Sequence, residues 1–158
     1  RRDGVITITD RRMTRFWITL DRAVELVLQC TGLMQGGEVF VPRLPSMRIV
    51  VLAAALAPDA VVREIGIRPG EKLHEMLLTT EEVRRTVEYE GLYVIQPEFL
   101  WWKPENWSGA RPLAMAFVYS SDKNTHWLTT DEIAASTIAV THEPSPAALA
   151  WPAGAATS

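Results

Sequence analysis

The chain has a single cysteine, no long apolar run and no excess of basic residues. Of its 158 residues only Cys30 is a cysteine, so no disulfide can form within the chain, and we expect a reducing cytoplasm as its compartment. Its most apolar stretch, Ile49 to Ala57, is much shorter than the roughly 20 residues of a membrane-spanning helix. The formal net charge is −3, which argues against a nucleic-acid partner. Composition therefore favours a soluble protein with no membrane span in this portion.

A glycine-rich phosphate-binding turn is also missing. A dinucleotide site needs such a turn between a strand and a helix, so that backbone amides can approach the pyrophosphate. Gly32, Gly36 and Gly37 follow a predicted helix instead and look like its termination. The three histidines are far apart in sequence, and Cys30 stands alone in an amphipathic helix. We therefore predict that this chain alone binds no cofactor and no metal and supplies no catalytic residue.

The most informative motif is the segment Gly66 to Glu75, with the sequence GIRPGEKLHE. Pro69 keeps Arg68 out of the helical region, and proline followed by glycine fits the centre of a type II turn. Arg68 is thus predicted to end a strand where the chain reverses. A guanidinium offers paired donors to phosphate oxygens, and the carboxylate of Glu71 can accept hydrogen bonds from ribose hydroxyls. The motif suits the diphosphate and ribose of a nucleotide sugar.

A second segment, Thr9 to Trp17, contains three arginines, of which Arg15 is the candidate for the same ligand. Two other interpretations stay open. Arg68 and Glu71 can form a solvated turn whose charges pair locally, and the three arginines can form an exposed basic cluster that touches nucleic acid. Because the chain is acidic overall and lacks a broad basic face, a local anion site fits better.

Hydrophobic periodicity and turn signals predict a mixed α/β chain. The predicted strands and extended pieces are Val5 to Ile8, Phe16 to Ile18, Glu38 to Val41, Val61 to Ile67 and Tyr93 to Gln96. The predicted helices are Asp21 to Met34, Met47 to Leu56 with Ser46 as N-cap, Lys72 to Leu78, one opened by the capping box of Thr79 and Glu82, and one through Ile138 that is opened by a second capping box of Thr129 and Glu132. The predicted apolar face of the first helix consists of Ala23, Val24, Val27 and Cys30.

Three tryptophans, Trp101, Trp102 and Trp107, lie in a proline-containing segment without a regular period. Their large rings are expected to cover the core beneath a loop. The alternative is that they contribute to a subunit contact.

A family resemblance is carried by five segments that span roughly residues 5 to 133. In chain order they are ITITDRRMTRFWITLDRAVELVL, MQGGEVFVPRLPSMRIVVLAAALAP, GIRPGEKLHEMLLTTEEVRRT, YVIQP and YSSDKNTHWLTTDEI. They resemble the carboxyl-terminal part of the inverting UDP-N-acetylglucosamine 4,6-dehydratases, the polysaccharide-biosynthesis branch of the extended short-chain dehydrogenase/reductase (SDR) superfamily.

The resemblance implies a protein of two lobes. An amino-terminal Rossmann lobe holds NADP and the catalytic groups, and a smaller carboxyl-terminal lobe binds the nucleotide part of the UDP-sugar substrate. We expect residues 1–143 to be that substrate-binding lobe of an α/β fold, with the NAD(P)-binding Rossmann half mostly absent, and residues 144–158 to be a disordered tail. The abrupt start at Arg1 is expected to be a truncation. This piece alone is then expected to be inactive, and the intact protein to be a homo-oligomer.

The resemblance also implies roles for three residues. Arginines at the positions of Arg15 and Arg68 are expected near the diphosphate, and the carboxylate of Glu71 near the ribose. Arg11 departs from the usual family sequence TDPRMTRF, which has proline there, so its loop is expected to be less rigid. Tyr119 and Lys123 match the catalytic Tyr-x-x-x-Lys spacing of the superfamily, but the turn-forming residues between them favour a coincidence.

For the intact protein, the resemblance implies an NADP-dependent dehydration. Hydride leaves sugar C4, water is lost across C5 and C6, and hydride returns at C6 with inversion at C5. The product is a 4-keto-6-deoxy sugar nucleotide for polysaccharide or glycan biosynthesis. Two alternatives stay open, a UDP-sugar epimerase of the same superfamily and a non-catalytic UDP-sugar-binding module.

Overall fold

The computed structural model describes residues 4–99 and 101–142, and this part of the chain is mixed α/β, as predicted. Its strands are β1 (Val5–Ile8), β2 (Thr14–Phe16), β3 (Val39–Pro42), β4 (Ser46–Arg48), β5 (Val61–Glu64), β6 (Met76–Leu78), β7 (Thr86–Tyr89), β8 (Leu92–Ile95), β9 (Arg111–Pro112) and β10 (Tyr119–Ser120). Its helices are α1 (Leu20–Leu33), α2 (Ile49–Leu56), α3 (Thr80–Val83), α4 (Thr130–His142) and a 3₁₀ turn at Pro104–Trp107. The predicted tail lies outside the described residues.

The described strands form four small sheets. Strands β1 and β5 are parallel, with Val5 opposite Val61 and Ile8 opposite Glu64. Two antiparallel pairs are β2 with β4 and β6 with β10. The largest sheet is antiparallel and has the order β3-β8-β7-β9. Because parallel strands end at the same edge, the segments that follow β1 and β5 are brought side by side.

The hydrophobic core has two parts, which share strand β8. Tyr93 and Ile95 belong to one part, and Leu92 and Val94 to the other, as the alternation of side chains along a strand requires. The first part includes the fully buried Leu78, and the second packs against helix α1 and Trp107. The four-stranded sheet is therefore covered on both faces.

Helix α1 forms where it was predicted, within one residue at each end, but it packs through a different face. Leu26, Cys30 and Leu33 contact the core, whereas Val24 and Val27 are 52% and 62% exposed. Apolar residues recur at helical spacing on both faces of this helix. Periodicity alone cannot show which of the two faces is buried. Cys30 belongs to the predicted face and does contact the core.

The predicted N-cap at Ser46 is wrong. Ser46 lies in strand β4, where it pairs with Phe16, is fully buried and accepts a hydrogen bond from the side-chain amide of Asn124 at 3.0 Å. Helix α2 starts at Ile49 without a side-chain cap from Arg48. Pairing with distant strand β2 outweighs the local capping preference of serine.

The predicted helix from Lys72 to Leu78 is also wrong, because its last three residues form strand β6. Leu78 pairs with Tyr119 of β10 and is fully buried, while Met76 is 48% exposed. The apolar spacing that suggests one helical turn is too short to exclude a strand, and a partner more than forty residues away decides the structure.

Both predicted capping boxes are confirmed, at Thr79 with Glu82 and at Thr129 with Glu132. Helix α4 continues beyond its predicted end, to His142. The expectation for the tryptophans is confirmed for two of them, since Trp107 and Trp102 pack on the second core part. Trp101 is 63% exposed and stacks on Phe99, with ring centroids 5.2 Å apart.

The hairpin between β7 and β8 contains an unfavourable residue. Glu90 and Gly91 form its two-residue turn with φ of 45° and 81°, and two positive values are typical of a type I′ turn, in which asparagine is preferred at the first position. We expect Glu90→Asn to raise the free energy of unfolding by up to about 1 kcal/mol, because asparagine tolerates this conformation better. Urea denaturation tests this, and a matched Glu90→Ala variant is expected to gain nothing. Equal stabilities of the asparagine and alanine variants would contradict the prediction.

Candidate functional site

The two segments predicted to bind a ligand lie side by side, at the carboxyl ends of β1 and β5. The amide of Ile65 donates to the carbonyl of Ile8 at 2.9 Å, and that of Gly66 to the carbonyl of Thr9 at 3.0 Å. These bonds continue the parallel pairing beyond the strands. The segments Thr9 to Trp17 and Gly66 to Glu75 therefore form one edge of the molecule.

Residues 68–71 form the predicted turn, but the strand predicted to run up to Arg68 ends at Glu64. The amide of Glu71 donates to the carbonyl of Arg68 at 3.1 Å, and Gly70 has a φ of 84°, as the third position of a type II turn requires. The amide of Arg68 in turn donates to Oε2 of Glu71 at 3.0 Å. The local pairing considered above thus occurs, but through the backbone of Arg68. Its exposed guanidinium makes no hydrogen bond or ion pair with the described residues and stays available to a ligand.

The side chain of Arg15 bonds the two segments to each other instead of being free to bind a ligand. Its guanidinium contacts the carbonyls of Thr14 at 2.7 Å, Leu73 at 3.2 Å and Lys72 at 3.0 Å, Sδ of Met13 at 3.7 Å, and, through Nε, the carboxylate of Glu75 at 3.3 Å. Four of these contacts are hydrogen bonds from the two Nη atoms, and the fifth is an ion pair. The structure therefore places Arg15 against the segment that follows the turn of Arg68 and Glu71.

Buried hydroxyl groups bring a third segment to the site. Oγ1 of Thr14 lies 2.8 Å from Nδ1 of His74 and 2.6 Å from Oγ of Ser121. The amide of Glu75 donates to Oγ of Ser121 at 2.9 Å, and the amide of Ser121 donates to the carbonyl of Glu75 at 2.8 Å. Thr14 is 4% exposed and Ser121 is fully buried. Three of the segments that carry the family resemblance thus meet here.

A carboxylate and an arginine fix the loop after β1. Oδ1 and Oδ2 of Asp10 accept hydrogen bonds from Nε and Nη2 of Arg12 at 3.0 and 2.7 Å, and Oδ1 also accepts from the amide of Arg12. These hydrogen bonds stabilise the charged carboxylate and lower the pKa of Asp10 to about 2. Asp10 is only 6% exposed, whereas the side chain of Arg12 is 71% exposed, so Arg12 covers the carboxylate from the surface.

The lowered pKa of Asp10 predicts an effect on acid stability. A folded-state pKa below the unfolded value of 3.8 contributes stability above about pH 4, and that contribution is lost as the pH falls from there through about 2. We expect Asp10→Asn to be less stable than the wild type at pH 6 and to lose less stability on acidification to pH 2.5. Urea unfolding at both pH values measures this. Parallel losses in the two proteins would contradict the assignment.

Arg11 occupies a turn position that suits proline. The amide of Met13 donates to the carbonyl of Asp10 at 3.2 Å, which makes Arg11 the second residue of a four-residue turn. Its ion pair with Glu64, at 3.6 Å and well exposed, is expected to contribute little to stability.

Arg11→Ala and Arg11→Pro both lose that pair, but proline also restricts the unfolded chain. We expect the proline variant to be about 0.4–1 kcal/mol more stable than the alanine variant in urea denaturation. The reverse order would show that the turn does not accept proline.

A cleft of about 380 Å³ lies beside these contacts. Its lining consists of Arg11, Arg12, Thr14, Arg48, Val50, His74, Asp122 and Trp127. The guanidinium of Arg48 lies over the ring of Trp127, 5.5 Å from its centroid, in a cation–π contact. Arg11 and Arg12 are paired with Glu64 and Asp10, whereas Arg48 forms no ion pair with the described residues. The charge of Arg48 favours an anionic ligand, and the half-buried indole of Trp127 favours one with a flat or apolar part.

The cleft adds residues that the sequence alone did not single out, among them Arg48, His74 and Trp127. The predicted residues Arg15 and Arg68 are not in its lining, although Arg15 follows directly on Thr14 and holds the neighbour of His74. One signal was present in the sequence, because His74 and Trp127 lie within the resembling segments. Residue type and turn chemistry cannot tell which distant side chains converge.

Tyr119 and Lys123 do not have the helical arrangement of a catalytic Tyr-x-x-x-Lys pair. Tyr119 lies in strand β10 and is 5% exposed. Its hydroxyl donates to the carbonyl of Leu44 at 3.0 Å and accepts from the amide of Leu44 at 2.7 Å. The hydroxyl of Tyr119 therefore uses its donor and an acceptor in hydrogen bonds that stabilise the fold.

Within residues 4–99 and 101–142, no group of three His, Cys, Asp or Glu side chains is placed to hold a metal ion. No helix of the same described part has the length and apolar character needed to cross a membrane.

Known proteins share this sequence and fold. Residues 1–97 match the family model described as polysaccharide biosynthesis protein. The UDP-N-acetylglucosamine 4,6-dehydratase (inverting) of Campylobacter jejuni is 42% identical over 135 residues, which cover 81% of this chain and 40% of that protein. A UDP-glucose 4-epimerase of Rickettsia felis is 37% identical over 99 residues, which cover 60% of this chain and 29% of that protein.

Among solved structures, the X-ray structure of Pen from Bacillus thuringiensis matches with a TM-score of 0.71 and 28% identity, over 88% of this chain and 42% of that one. The chain thus spans about 40% of the length of the Campylobacter relative. The family model covers more than half of the 158 residues, and the resemblance inferred from the five segments is confirmed. The chain belongs to the polysaccharide biosynthesis protein family.

Proposed function

We propose that this chain is the nucleotide-sugar-binding part of an inverting UDP-N-acetylglucosamine 4,6-dehydratase. The observation that carries the proposal is the exposed guanidinium of Arg68 on a turn whose backbone is fixed by Glu71 and Gly70. The adjacent basic cleft supplies further positive charge for a diphosphate. The 42% identity to the Campylobacter dehydratase supports the choice of substrate.

Three residues have separate roles in this proposal. Arg68 binds the diphosphate with paired N–H donors, and Glu71 accepts hydrogen bonds from the ribose with the carboxylate oxygen that its own turn does not use. Arg15 lies near the diphosphate, at the base of the turn. Binding energy from the nucleotide would place the sugar for chemistry that residues outside this chain perform.

The intact enzyme that we propose has an amino-terminal Rossmann half, which binds NADP and carries the catalytic groups. NADP would supply the hydride acceptor for sugar C4 and the hydride donor for C6. The residues of this chain bind and orient the UDP-sugar, and this chain alone is inactive. The assembly is a cytoplasmic homo-oligomer, and residues 1–143 form its substrate-binding lobe.

A UDP-sugar epimerase is the second candidate. The 37% identity to the Rickettsia epimerase favours it, since a common nucleotide site can serve both reactions. A longer protein that contains this chain distinguishes the two. A 4-keto-6-deoxy product from UDP-N-acetylglucosamine supports the dehydratase, and a C4 epimer supports the alternative. Nucleotide binding without any product would identify a non-catalytic binding module.

Calorimetry tests whether this part of the protein binds the nucleotide. We expect the folded chain to bind UDP-N-acetylglucosamine and UDP weakly, because the diphosphate and ribose carry the recognition, and to bind free N-acetylglucosamine far less. Binding of the free sugar alone would contradict the proposed roles of Arg68 and Glu71. Absence of binding by all three, in a chain that circular dichroism shows to be folded, would contradict a self-contained nucleotide site.

A further inference from the structure

The guanidinium of Arg15 is engaged within the protein. Its two Nη atoms donate to three carbonyl oxygens and one sulfur, its Nε forms an ion pair with Glu75, and its side chain is only 25% exposed. A phosphate could reach it only by displacing some of these partners. The carbonyl of Lys72 would then lose its bond to Arg15, and the carbonyl of Leu73 would keep only the bond from the amide of Thr14, so the link between the two segments would weaken.

The segment that carries Arg68 and Glu71 is held at both ends. Its upstream end is bonded to the extension of β1 through the amides of Ile65 and Gly66. Its downstream end, Lys72 to Glu75, is bonded by Arg15 and by the buried hydroxyl groups of Thr14 and Ser121. Between these ends, residues 67–71 are exposed and held by the bonds of their own turn.

We propose that Arg15 is a positioning residue, which fixes the downstream end of this segment so that Arg68 and Glu71 keep the geometry that a nucleotide diphosphate and ribose require. The ligand part of this inference rests on the proposed function. Arg15 acts through the carbonyls of Lys72 and Leu73 and the carboxylate of Glu75. It makes no direct bond to the phosphate.

Arg15→Lys separates the two possible roles of Arg15. Lysine keeps the positive charge, but its compact ammonium cannot make the planar set of five contacts. We expect Arg15→Lys and Arg15→Ala to weaken UDP binding by a similar factor, about tenfold, since several charged hydrogen bonds that hold the turn are lost. If Arg15 bound the phosphate directly, lysine would keep much of the affinity.

The salt dependence of UDP binding provides a second measurement. Removing a direct phosphate contact removes an attraction that salt screens, so Arg68→Ala is expected to flatten the plot of Kd against ionic strength. Arg15→Lys is expected to keep the slope of the wild type, with a higher Kd at every ionic strength. Near wild-type affinity for Arg15→Lys would overturn the proposal.

Amide hydrogen exchange tests the positioning role without any ligand. The amides of Thr14, Glu75 and Ser121 are bonded across the downstream end of the segment. We expect them to exchange about tenfold faster in Arg15→Lys and Arg15→Ala, with the amides of β8 unchanged. An unchanged rate, or an equal rise throughout the molecule, would overturn the proposal. Because this readout needs no nucleotide, it separates a failure of the positioning role from a failure of the proposed function.

Discussion

Arg68→Ala is expected to weaken the binding of UDP-N-acetylglucosamine about 10- to 100-fold, the loss typical of a charged hydrogen-bonded pair. The guanidinium of Arg68 is exposed and makes no hydrogen bond or ion pair with the described residues, so its removal leaves no unpaired partner among them. The turn itself is held by the backbone of Arg68 and by Gly70, which alanine does not alter. Stability should therefore stay nearly constant, and calorimetry with urea denaturation checks both expectations.

Arg63→Ala is the matched control for Arg68→Ala. Arg63 is also an exposed arginine, and it lies in strand β5 opposite Thr7, ahead of the turn. Its removal changes the net charge by the same amount, so a purely long-range effect of charge would appear in both variants. We expect its affinity to stay within about twofold of the wild type, as for other exposed charges. Equal losses in the two variants would contradict a specific contact from Arg68.

Trp107→Ala is expected to destabilise the protein by about 3–5 kcal/mol, the range for a buried tryptophan truncated to alanine. Trp107 is 6% exposed, and its ring lies 5.8 Å from that of Phe40 and 5.2 Å from that of Tyr89, both edge to face. Its indole N–H donates to the carboxylate of Glu38 at 3.3 Å. Truncation leaves a cavity and removes one hydrogen bond to Glu38, whose Oε1 still accepts from the amide of Gln35. Because the free energy of unfolding of a domain is only about 5–15 kcal/mol, a loss of this size is a large part of the total stability.

Trp101→Ala is the control for Trp107→Ala. Trp101 is 63% exposed and stacks on Phe99 at the surface, so we expect a loss below about 1 kcal/mol. Urea denaturation of both variants measures the difference. Similar losses would show that Trp107 is not an anchor of the second core part.

Local signals in the sequence predicted much of this fold. The turn at Arg68 to Glu71 and the two capping boxes depend on neighbouring residues, and each appears in the structure. Features set by distant partners were missed. Strand β6 forms because Leu78 pairs with Tyr119, and α1 packs through Leu26 because the second core part lies there.

The candidate site shows the same contrast between features set by neighbouring residues and features set by distant ones. Arg68 and Glu71 were found because proline and glycine between them define a turn, and the structure keeps them on it. The cleft with Arg48 and Trp127 was not found, because these residues meet only after the chain has folded. Arg15 was identified by resemblance, but its many contacts within the protein could not be read from its type.

The proposed binding of a UDP-sugar at the turn of Arg68 and Glu71 can be observed residue by residue. The experiment is a titration of UDP-N-acetylglucosamine into the isotope-labelled chain, followed by backbone amide NMR. We predict the largest shift changes at Gly66 to Glu71, with smaller changes around the cleft at Arg48 and Trp127. Saturable shifts confined to another part of the chain, with the amides of the turn unchanged, would contradict it.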